Sequence, residues 1–337
     1  MNKQLKDLIE LYNQGISCTK LAKIYNTTTY KIIKVLKENG CVIVNKQNEK
    51  PECINDFIDD YKKGGISIAQ LAKKCKLSPT TIAKWIKKEG IEIINNQNRT
   101  KFNENIFDKI DTKEKAYWLG FIFADGYISN RDNTFELSLS INDKNHLDKF
   151  NCFMQHEFNN VKTDSFRCRW SVVNKHLWNT LNNYGCTPNK SLTLKFPSLD
   201  IFEDDHLVID FIRGYVDGDG SLFFESKTNS SRISVLGTKD FLENINNYLL
   251  NDSNKLSSNH GSKETLCLSR GCAKAVAIAY MLYYKSTIYL DRKYLNFLQF
   301  QNCRFKVKAL KLLEGKIGEG WDMNKELMND IKNGTIV

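Results

Sequence analysis

Two short segments of the 337-residue chain repeat one pattern, an apolar run that ends in Asp-Gly. Residues 118–126 read WLGFIFADG, and residues 212–220 read IRGYVDGDG. Each run predicts a buried helix with two small residues four positions apart, beginning at Gly120 and at Gly214. Residues at this spacing share one helix face. Two such helices can therefore pack more closely than the ~8–10 Å usual between helix axes.

Such a contact would bring together the carboxylates that follow it. Asp125 and Asp219 each stand one position after the second small residue. Each is followed by a glycine, Gly126 or Gly220, that we expect to close its helix in the left-handed conformation. A carboxylate at a helix C-terminus faces the negative end of the helix dipole, and a second carboxylate beside it adds repulsion. The pair therefore predicts a bound cation.

Mg²⁺ suits this position because it takes oxygen ligands, uses one or two carboxylates and keeps room for water and phosphate. The last-turn carbonyls of Ala124 and Gly218, which lack intrahelical partners, are further candidate ligands. Metal-bound carboxylates beside phosphate favour in-line phosphodiester hydrolysis. One Asp-Gly after a helix is ordinarily a turn, and only the second copy favours a shared site. Asp217 has Phe123 at its counterpart, so we interpret it as a capping or packing residue.

The two segments resemble the motifs of the LAGLIDADG homing endonucleases, and the resemblance covers roughly residues 105–300. It implies a single-chain enzyme with two pseudo-symmetric αββαββα halves that form a saddle over DNA and cleave both strands of a long target. It also implies that Lys190 and Lys293, in a basic loop at the end of each half, lie near the scissile phosphates. Phe123 and Arg213 depart from the family motif, but neither replaces a metal-binding aspartate.

Alternation of apolar and polar residues predicts the strands of these halves. It runs through residues 134–141 and 167–172 after the first motif, and strands at 221–225 and 232–236 follow the second. Each half is thus an α+β unit with helices on one face of an antiparallel sheet. The polar sheet faces can enter the major groove. The candidate DNA contacts on them are Ser138, Arg167, Arg169 and Arg232. Ordinary exposed strand residues are the alternative interpretation.

The first hundred residues contain an internal repeat, since residues 21–48 return at 71–98 with an offset of fifty. Each copy predicts three short helices, with Thr28 or Ser78 as the N-cap of the third. The pattern resembles a helix-turn-helix, whose third helix enters the major groove. The candidate DNA contacts of the third helices are Thr29, Tyr30, Lys31, Lys34, Thr80, Thr81 and Lys84. A protein-interaction module is the alternative.

Charge and cysteine content narrow the possible partners and compartment. The 49 basic residues exceed the 39 acidic ones, and the first hundred residues hold 18 basic against 10 acidic, which favours a polyanionic partner. The ten cysteines form no Cys-x-x-Cys pair, so we expect reduced thiols in a cytoplasmic protein. We see neither a signal peptide nor an apolar run of membrane-spanning length.

The predicted domain organisation is two helix-turn-helix repeats at 1–48 and 49–98, a linker at 99–112, halves at 113–204 and 205–302, and a helical extension at 303–337. The predicted function is a monomeric, site-specific, Mg²⁺-dependent endonuclease of double-stranded DNA. Asp125 and Asp219 are its predicted catalytic acids and metal ligands, supported by Lys190 and Lys293. A catalytically silent DNA-binding regulator and an RNA-splicing maturase remain alternatives, so RNA is not excluded as a partner.

Overall fold

A computed structural model describes residues 3–14, 16–43, 58–59, 61–62, 66–93, 101–156, 159–253, 256–259, 262–316 and 324–336. The chain divides into two compact units, residues 1–59 with 68–91 and residues 60–67 with 92–337. The domain boundaries predicted after residues 48 and 98 lie outside the described residues, as do the first two residues of the predicted linker.

The first unit is helical. Its elements are α1 (Lys3–Asn13), α2 (Cys18–Ile24), α3 (Thr29–Glu38), α4 (Ile68–Lys74) and α5 (Pro79–Lys88). Thr28 and Ser78 cap α3 and α5, because each side chain accepts a hydrogen bond from a backbone N–H in the first helical turn. The backbone keeps the fifty-residue offset: Asn26 and Lys76, in the turn before these helices, both have positive φ, 44° and 53°.

The second unit contains two consecutive αββαββα arrangements. The first consists of α6 (Lys113–Asp125), β1 (Gly126–Ile128), β2 (Thr134–Ser140), α7 (Lys144–Phe153), β3 (Lys162–Thr163), β4 (Arg167–Val173) and α8 (Lys175–Asn183). The second consists of α9 (Leu207–Asp219), β5 (Gly220–Glu225), β6 (Ser230–Gly237), α10 (Lys239–Tyr248), β7 (Ser257–Asn259), β8 (Ser262–Gly271) and α11 (Cys272–Tyr283). The strands form two antiparallel sheets, ordered β1-β2-β4-β3 and β5-β6-β8-β7. The predicted α+β class is confirmed.

Segments on either side of the two halves also pack into the core of the second unit. Phe107 and Ile110, in the stretch expected to be a linker, are fully buried because the sequence places apolar side chains there that the first half covers. After α11 come α12 (Asp291–Gln301), at the end of the second half, and then α13 (Lys306–Lys316) and α14 (Lys325–Lys332). Leu313 of α13 and Leu327 of α14 are likewise buried in this core.

The contact between α6 and α9 has no room for side chains at its glycines. A Cβ at Gly120 would lie 1.9 Å from the carbonyl oxygen of Phe211, and one at Gly214 would lie 1.9 Å from that of Tyr117. Both distances are far below van der Waals contact. The two helices therefore touch backbone to backbone, as the small-residue spacing predicts.

The helices do not end as expected, however. Gly126 has φ −73° and ψ 141°, and Gly220 has φ −98° and ψ 171°, so both are extended and the left-handed helix ending predicted for them is wrong. Each helix passes directly into the first strand of its sheet, which requires extended backbone. Glycine is needed for space instead, because a Cβ would lie 2.5 Å from the carbonyl oxygen of Ile122 or Val216.

Two further predictions concern the oxidation state of the cysteines and membrane-spanning segments. Eight cysteines in the described part of the chain are free thiols, but Cys75 is disulfide-bonded, so the expectation of reduced thiols throughout is wrong there. Among the helices that the structure describes, none has both the length and the apolar character needed to cross a membrane.

The glycine contact yields a stability prediction. Gly214→Ala should lower the free energy of unfolding by about 3 kcal/mol or more, because the new methyl group forces two backbones apart. Gly315→Ala is the matched control: its helical position has open space around a Cβ, so the free energy should change little or rise by up to about 1 kcal/mol. Urea denaturation of each variant measures both. A Gly214→Ala variant as stable as wild type would contradict the close contact.

Candidate active site

The two predicted acids lie at the same end of the glycine contact. Asp125 is the last residue of α6 and Asp219 the last residue of α9. The carboxyl group of Asp125 lies against the backbone of the opposite helix, where an ideal Cβ at Gly218 would be 3.2 Å from its Oδ2 atom. The absence of a side chain at Gly218 thus leaves space for this carboxylate between the helix ends.

Burial and mutual repulsion both disfavour ionisation of this pair. Burial and, after it, the neighbouring charge of Asp219 raise the pKa of Asp125 to about 6, against the opposing effect of Lys293 and Lys190. Burial also raises the pKa of Asp219, which the charges of the two lysines and the neighbouring Tyr215 oppose. Two desolvated carboxylates that repel each other are the arrangement that a bound cation stabilises.

The two predicted lysines bind the ends of the helices that carry these acids. The ammonium of Lys190 donates a hydrogen bond to the carbonyl of Ala124 at 2.9 Å. That of Lys293 donates to the carbonyls of Val216 at 2.6 Å and Asp217 at 2.5 Å. A cation at this position complements the negative end of the helix dipole. Each lysine therefore stabilises its helix end and places a positive charge beside the carboxylate pair.

Both lysines are buried in helical turns, whereas the sequence predicted them in basic loops. Lys190 begins a short 3-10 helix, Lys190–Leu192, and is 8% exposed. Lys293 lies in the first turn of α12 and is 2% exposed, so its placement in a loop is wrong. The cause is the 288–293 segment, whose apolar residues Ile288 and Leu290 are buried and bring the start of α12 against the end of α9.

The carbonyls of Ala124 and Gly218, predicted as metal ligands, accept hydrogen bonds from these ammonium groups. Lys190 lies 2.9 Å from the first, and Lys293 lies 3.4 Å from the second. A carbonyl oxygen has two lone pairs, so metal coordination by either carbonyl stays a prediction. The carboxylates are the stronger candidates because, among the described residues, none donates a hydrogen bond to Asp125.

Asp217 is fully buried and has the structural surroundings expected of a packing residue. Its carboxylate accepts hydrogen bonds from the hydroxyl of Tyr117 at 2.7 Å, the hydroxyl of Tyr283 at 2.6 Å and the backbone N–H of Leu290 at 2.8 Å. Tyr117 belongs to the first half, and the other two donors belong to the second. Asp217 thereby holds the residue that precedes α12, the helix that carries Lys293.

Arg213 also stabilises this region. Its guanidinium lies 2.6 Å from Asp210 on the same helix and donates hydrogen bonds to the carbonyls of Leu282 and Ile288. A buried arginine requires such partners, because an unpaired charge in the interior is costly. Arg213 therefore ties α9 to the end of α11 and to the approach to α12.

Other residues near the acids were not among those predicted from the sequence. Tyr215 precedes Asp219 by four positions on one helix, and this spacing could have identified it as a neighbour of that acid; its hydroxyl donates to the carbonyl of Leu236 at 3.0 Å. Arg292, the neighbour of Lys293, lowers the pKa of Asp125 as a minor cause. Tyr283 has no local signal, because its contact with Asp217 spans 66 residues.

The candidate DNA contacts on the sheets lie on the face away from the core. Arg167, Arg169 and Arg232 are exposed and Ser138 is partly exposed, while the intervening strand residues are buried. Ser138 and Arg169 are directly opposite in the β2–β4 pairing. Arg169 also forms an ion pair with Glu136 at 3.3 Å. The structure thus presents these side chains to solvent on an antiparallel sheet.

The candidate contacts of the first unit lie mainly on exposed positions of α3 and α5. Tyr30, with 75% of its surface exposed, is accompanied by Lys31, Lys34, Thr80 and Lys84, which are also exposed. Thr29 and Thr81 are half-buried. On the opposite side of α5, Trp85 is buried and Lys88 lies over its ring at 4.4 Å.

The protein ligands available for a metal in the second unit are few. Within the described ranges, no group of three or more His, Cys, Asp and Glu side chains could hold a metal ion. The pair Asp125 and Asp219 therefore provides the candidate metal ligands. Two carboxylates fit Mg²⁺, which keeps several positions for water and phosphate oxygen, better than they fit ions that require a full set of protein ligands.

The sequence matches no protein-family model and no curated protein. Among solved structures, the chain is similar to the I-LtrWI LAGLIDADG homing endonuclease bound to target DNA, with 14% identity, 66% of this chain and 98% of that chain covered, and a TM-score of 0.37. It is also similar to I-SmaMI bound to cleaved DNA, with 11% identity, 65% and 94% covered, and a TM-score of 0.38. For I-GzeII in complex with its DNA target, the identity is 14%, 64% and 96% are covered, and the TM-score is 0.34. Similarities at these levels do not establish a function.

The raised pKa of Asp125 predicts a pH-dependent stability. Its carboxyl favours the folded state when protonated, below about pH 4, and this contribution is lost as the pH rises through about 6. In metal-free buffer at pH 8, Asp125→Asn should therefore raise the free energy of unfolding by about 1–2 kcal/mol. Thermal denaturation at pH 5 and pH 8 measures the effect, with Asp200→Asn as an exposed control. A lower melting temperature for Asp125→Asn at pH 8 would contradict the electrostatic account.

Proposed function

We propose that this protein is a site-specific endonuclease that hydrolyses phosphodiester bonds in both strands of double-stranded DNA, with Mg²⁺ as cofactor. The observation that carries the proposal is the desolvated pair Asp125 and Asp219, held together by backbone contact between α6 and α9. The lysines at the two helix ends are the supporting observation. A structural role explains the lysines at the helix ends, but it does not explain why two mutually repelling carboxylates are placed together there.

Each side chain has a distinct role in the proposed reaction. Asp125 and Asp219 would hold a divalent ion, which would supply Lewis acidity and lower the pKa of bound water. Lys190 and Lys293 supply positive charge where negative charge develops on the phosphorus-bound oxygens. Burial lowers the pKa of Lys293 to about 8, so its ammonium is largely protonated at neutral pH. Tyr215 lies beside Asp219 and opposes the rise of its pKa, while the Tyr215 hydroxyl donates to the carbonyl of Leu236 at 3.0 Å.

The polar sheet faces are the proposed DNA-binding surface of the second unit. β1 begins directly after Asp125 and β5 directly after Asp219, so both sheets extend from the acidic pair. Arginines on exposed strand positions can read guanine edges in the major groove. The first unit adds exposed lysines on α3 and α5, which we propose contact the target outside the cleavage site. Since one chain contains both acids, we propose that it acts as a monomer.

A catalytically silent DNA-binding regulator is the competing function. A pure binder gains nothing from two desolvated carboxylates close to the position of a phosphate, because they repel the ligand and destabilise the fold. The retained acidic pair therefore favours the nuclease over the regulator.

Selection from a randomised duplex library would identify the target. The protein is incubated with the library and Mg²⁺, and the newly formed ends are sequenced. Enrichment of one long sequence at both broken strands supports the proposed function. Binding without broken ends would favour the regulator.

Neutralising either acid should separate binding from cleavage. Asp125→Asn and Asp219→Asn should each reduce double-strand cleavage of the selected duplex by about 10³-fold or more, since the ion loses an anionic ligand. Duplex affinity should stay near that of wild type, because no DNA-contacting surface changes. Asp200→Asn is the charge-matched control and should cleave normally. Unchanged cleavage by both site variants would remove the assigned chemistry.

Lysines on the third helix of each N-terminal copy should contribute to affinity through phosphate. Replacing Lys34 and its counterpart Lys84 by Gln should weaken binding of the selected duplex and make the slope of log affinity against log salt shallower by about 2, roughly 0.9 for each lost phosphate contact. The control replaces Lys23 and Lys73, which occupy equivalent exposed positions at the end of the preceding helices. Fluorescence anisotropy across a salt series gives both slopes. Equal slopes for all variants would favour a protein-interaction module.

A further inference from the structure

The second helix of each half begins with a residue that reaches the lysine-bearing segment of the other half. In the first half this residue is Asp143, the N-cap of α7. In the second half it is Thr238, the N-cap of α10. The two positions are equivalent in the αββαββα order, since each precedes the helix between the two strand pairs. The contacts that they make across the two halves differ in chemistry.

The contact made by the first half is ionic. Both carboxylate oxygens of Asp143 lie 3.2 Å from Nε of Arg292, the residue directly before Lys293. Further along α7, Lys149 donates a hydrogen bond to Oδ1 of Asp291 at 2.6 Å. Two ion pairs from the first half therefore hold the first turn of α12, the turn in which Lys293 lies.

The contact made by the second half is neutral. The hydroxyl of Thr238 donates a hydrogen bond to the carbonyl of Leu194 at 2.6 Å. The backbone N–H of Leu194 in turn donates to the carbonyl of Lys190 at 2.8 Å. Thr238 is buried. The second half therefore holds the turn that carries Lys190 without using a charge.

We propose that Asp143 and Thr238 are positioning residues, each of which places the active-site lysine of the opposite half. This inference rests on the proposed function and adds to it that each lysine serves a different scissile phosphate, because the two lysines bind different helix ends. Each half thus depends on the other to order its lysine.

The different chemistry of the two contacts gives them different salt dependence. The side chain of Arg292 is 56% exposed, so added salt screens its pairing with Asp143. The buried hydrogen bond of Thr238 is not screened. Cleavage that depends on Lys293 should therefore slow as salt rises, while cleavage that depends on Lys190 keeps its rate.

Strand-resolved kinetics test this proposal. The substrate is a supercoiled plasmid that contains the duplex recovered from the library. Saturating protein is first bound to the plasmid, and a single turnover is then started by adding Mg²⁺. Asp143→Ala and Arg292→Gln should each slow the cleavage of one strand by about two- to fivefold, so that nicked circles accumulate. The double variant should be no slower than either single variant, because both remove one interaction.

The remaining variants define the specificity of the effect. Thr238→Val should slow the cleavage of the other strand. Thr238→Ser, which keeps the hydroxyl, should cleave that strand at the wild-type rate. Lys144→Met is the matched control on α7, because its ammonium pairs within its own helix with Asp148. This variant should leave the ratio of the cleavage rates of the two strands unchanged. Equal slowing of both strands in Asp143→Ala and Thr238→Val, as expected from general destabilisation, would overturn the proposal.

A readout independent of cleavage separates this inference from the proposed function. Acetylation of Lys293 by an N-hydroxysuccinimide ester, followed by mass spectrometry of the metal-free protein, should be about two- to fivefold faster in Asp143→Ala, with Lys190 unchanged. If wild type cleaves no duplex but this rate responds, the nuclease function fails and the positioning of the lysine stands. If wild type cleaves and neither the strand ratio nor the acetylation rate responds, the inference fails.

Discussion

The backbone contact between α6 and α9 is the constraint on which the second unit depends. With Gly120 against the carbonyl of Phe211 and Gly214 against that of Tyr117, the two helices approach as closely as their main chains permit. Each helix then passes without a turn into the first strand of its own sheet. One contact therefore fixes the spacing of the acids and the starting point of both sheets.

This constraint has an electrostatic cost at the helix ends. Asp125 and Asp219 are desolvated, repel each other and lie where the helix dipole is negative. Lys190 and Lys293 offset part of this cost through the carbonyls of the last turn. The negative charge of the carboxylates that the lysines leave uncompensated favours a divalent cation. The same arrangement of charges is suited to a reaction that builds negative charge on phosphate.

The two halves share an architecture but not their surroundings at the site. Asp217 accepts three hydrogen bonds behind the second helix end, whereas its counterpart Phe123 packs its ring against Phe211. The contacts across the halves likewise use ion pairs on one side and a buried hydroxyl on the other. The duplicated fold thus surrounds the acidic pair with chemically unequal contacts on its two sides.

The sequence alone determined the element order, the packing of the small residues and the two acids, because helix and strand periodicity and glycine spacing are local signals. It predicted Lys190 and Lys293 only through family resemblance, and it misassigned the glycines after each acid, since a helix that enters a strand needs extended backbone. Only the tertiary structure decided the partners of Asp217, Arg213 and Asp143. Those contacts join segments as much as 149 residues apart, and no spacing along the chain encodes which buried or charged groups meet at that separation.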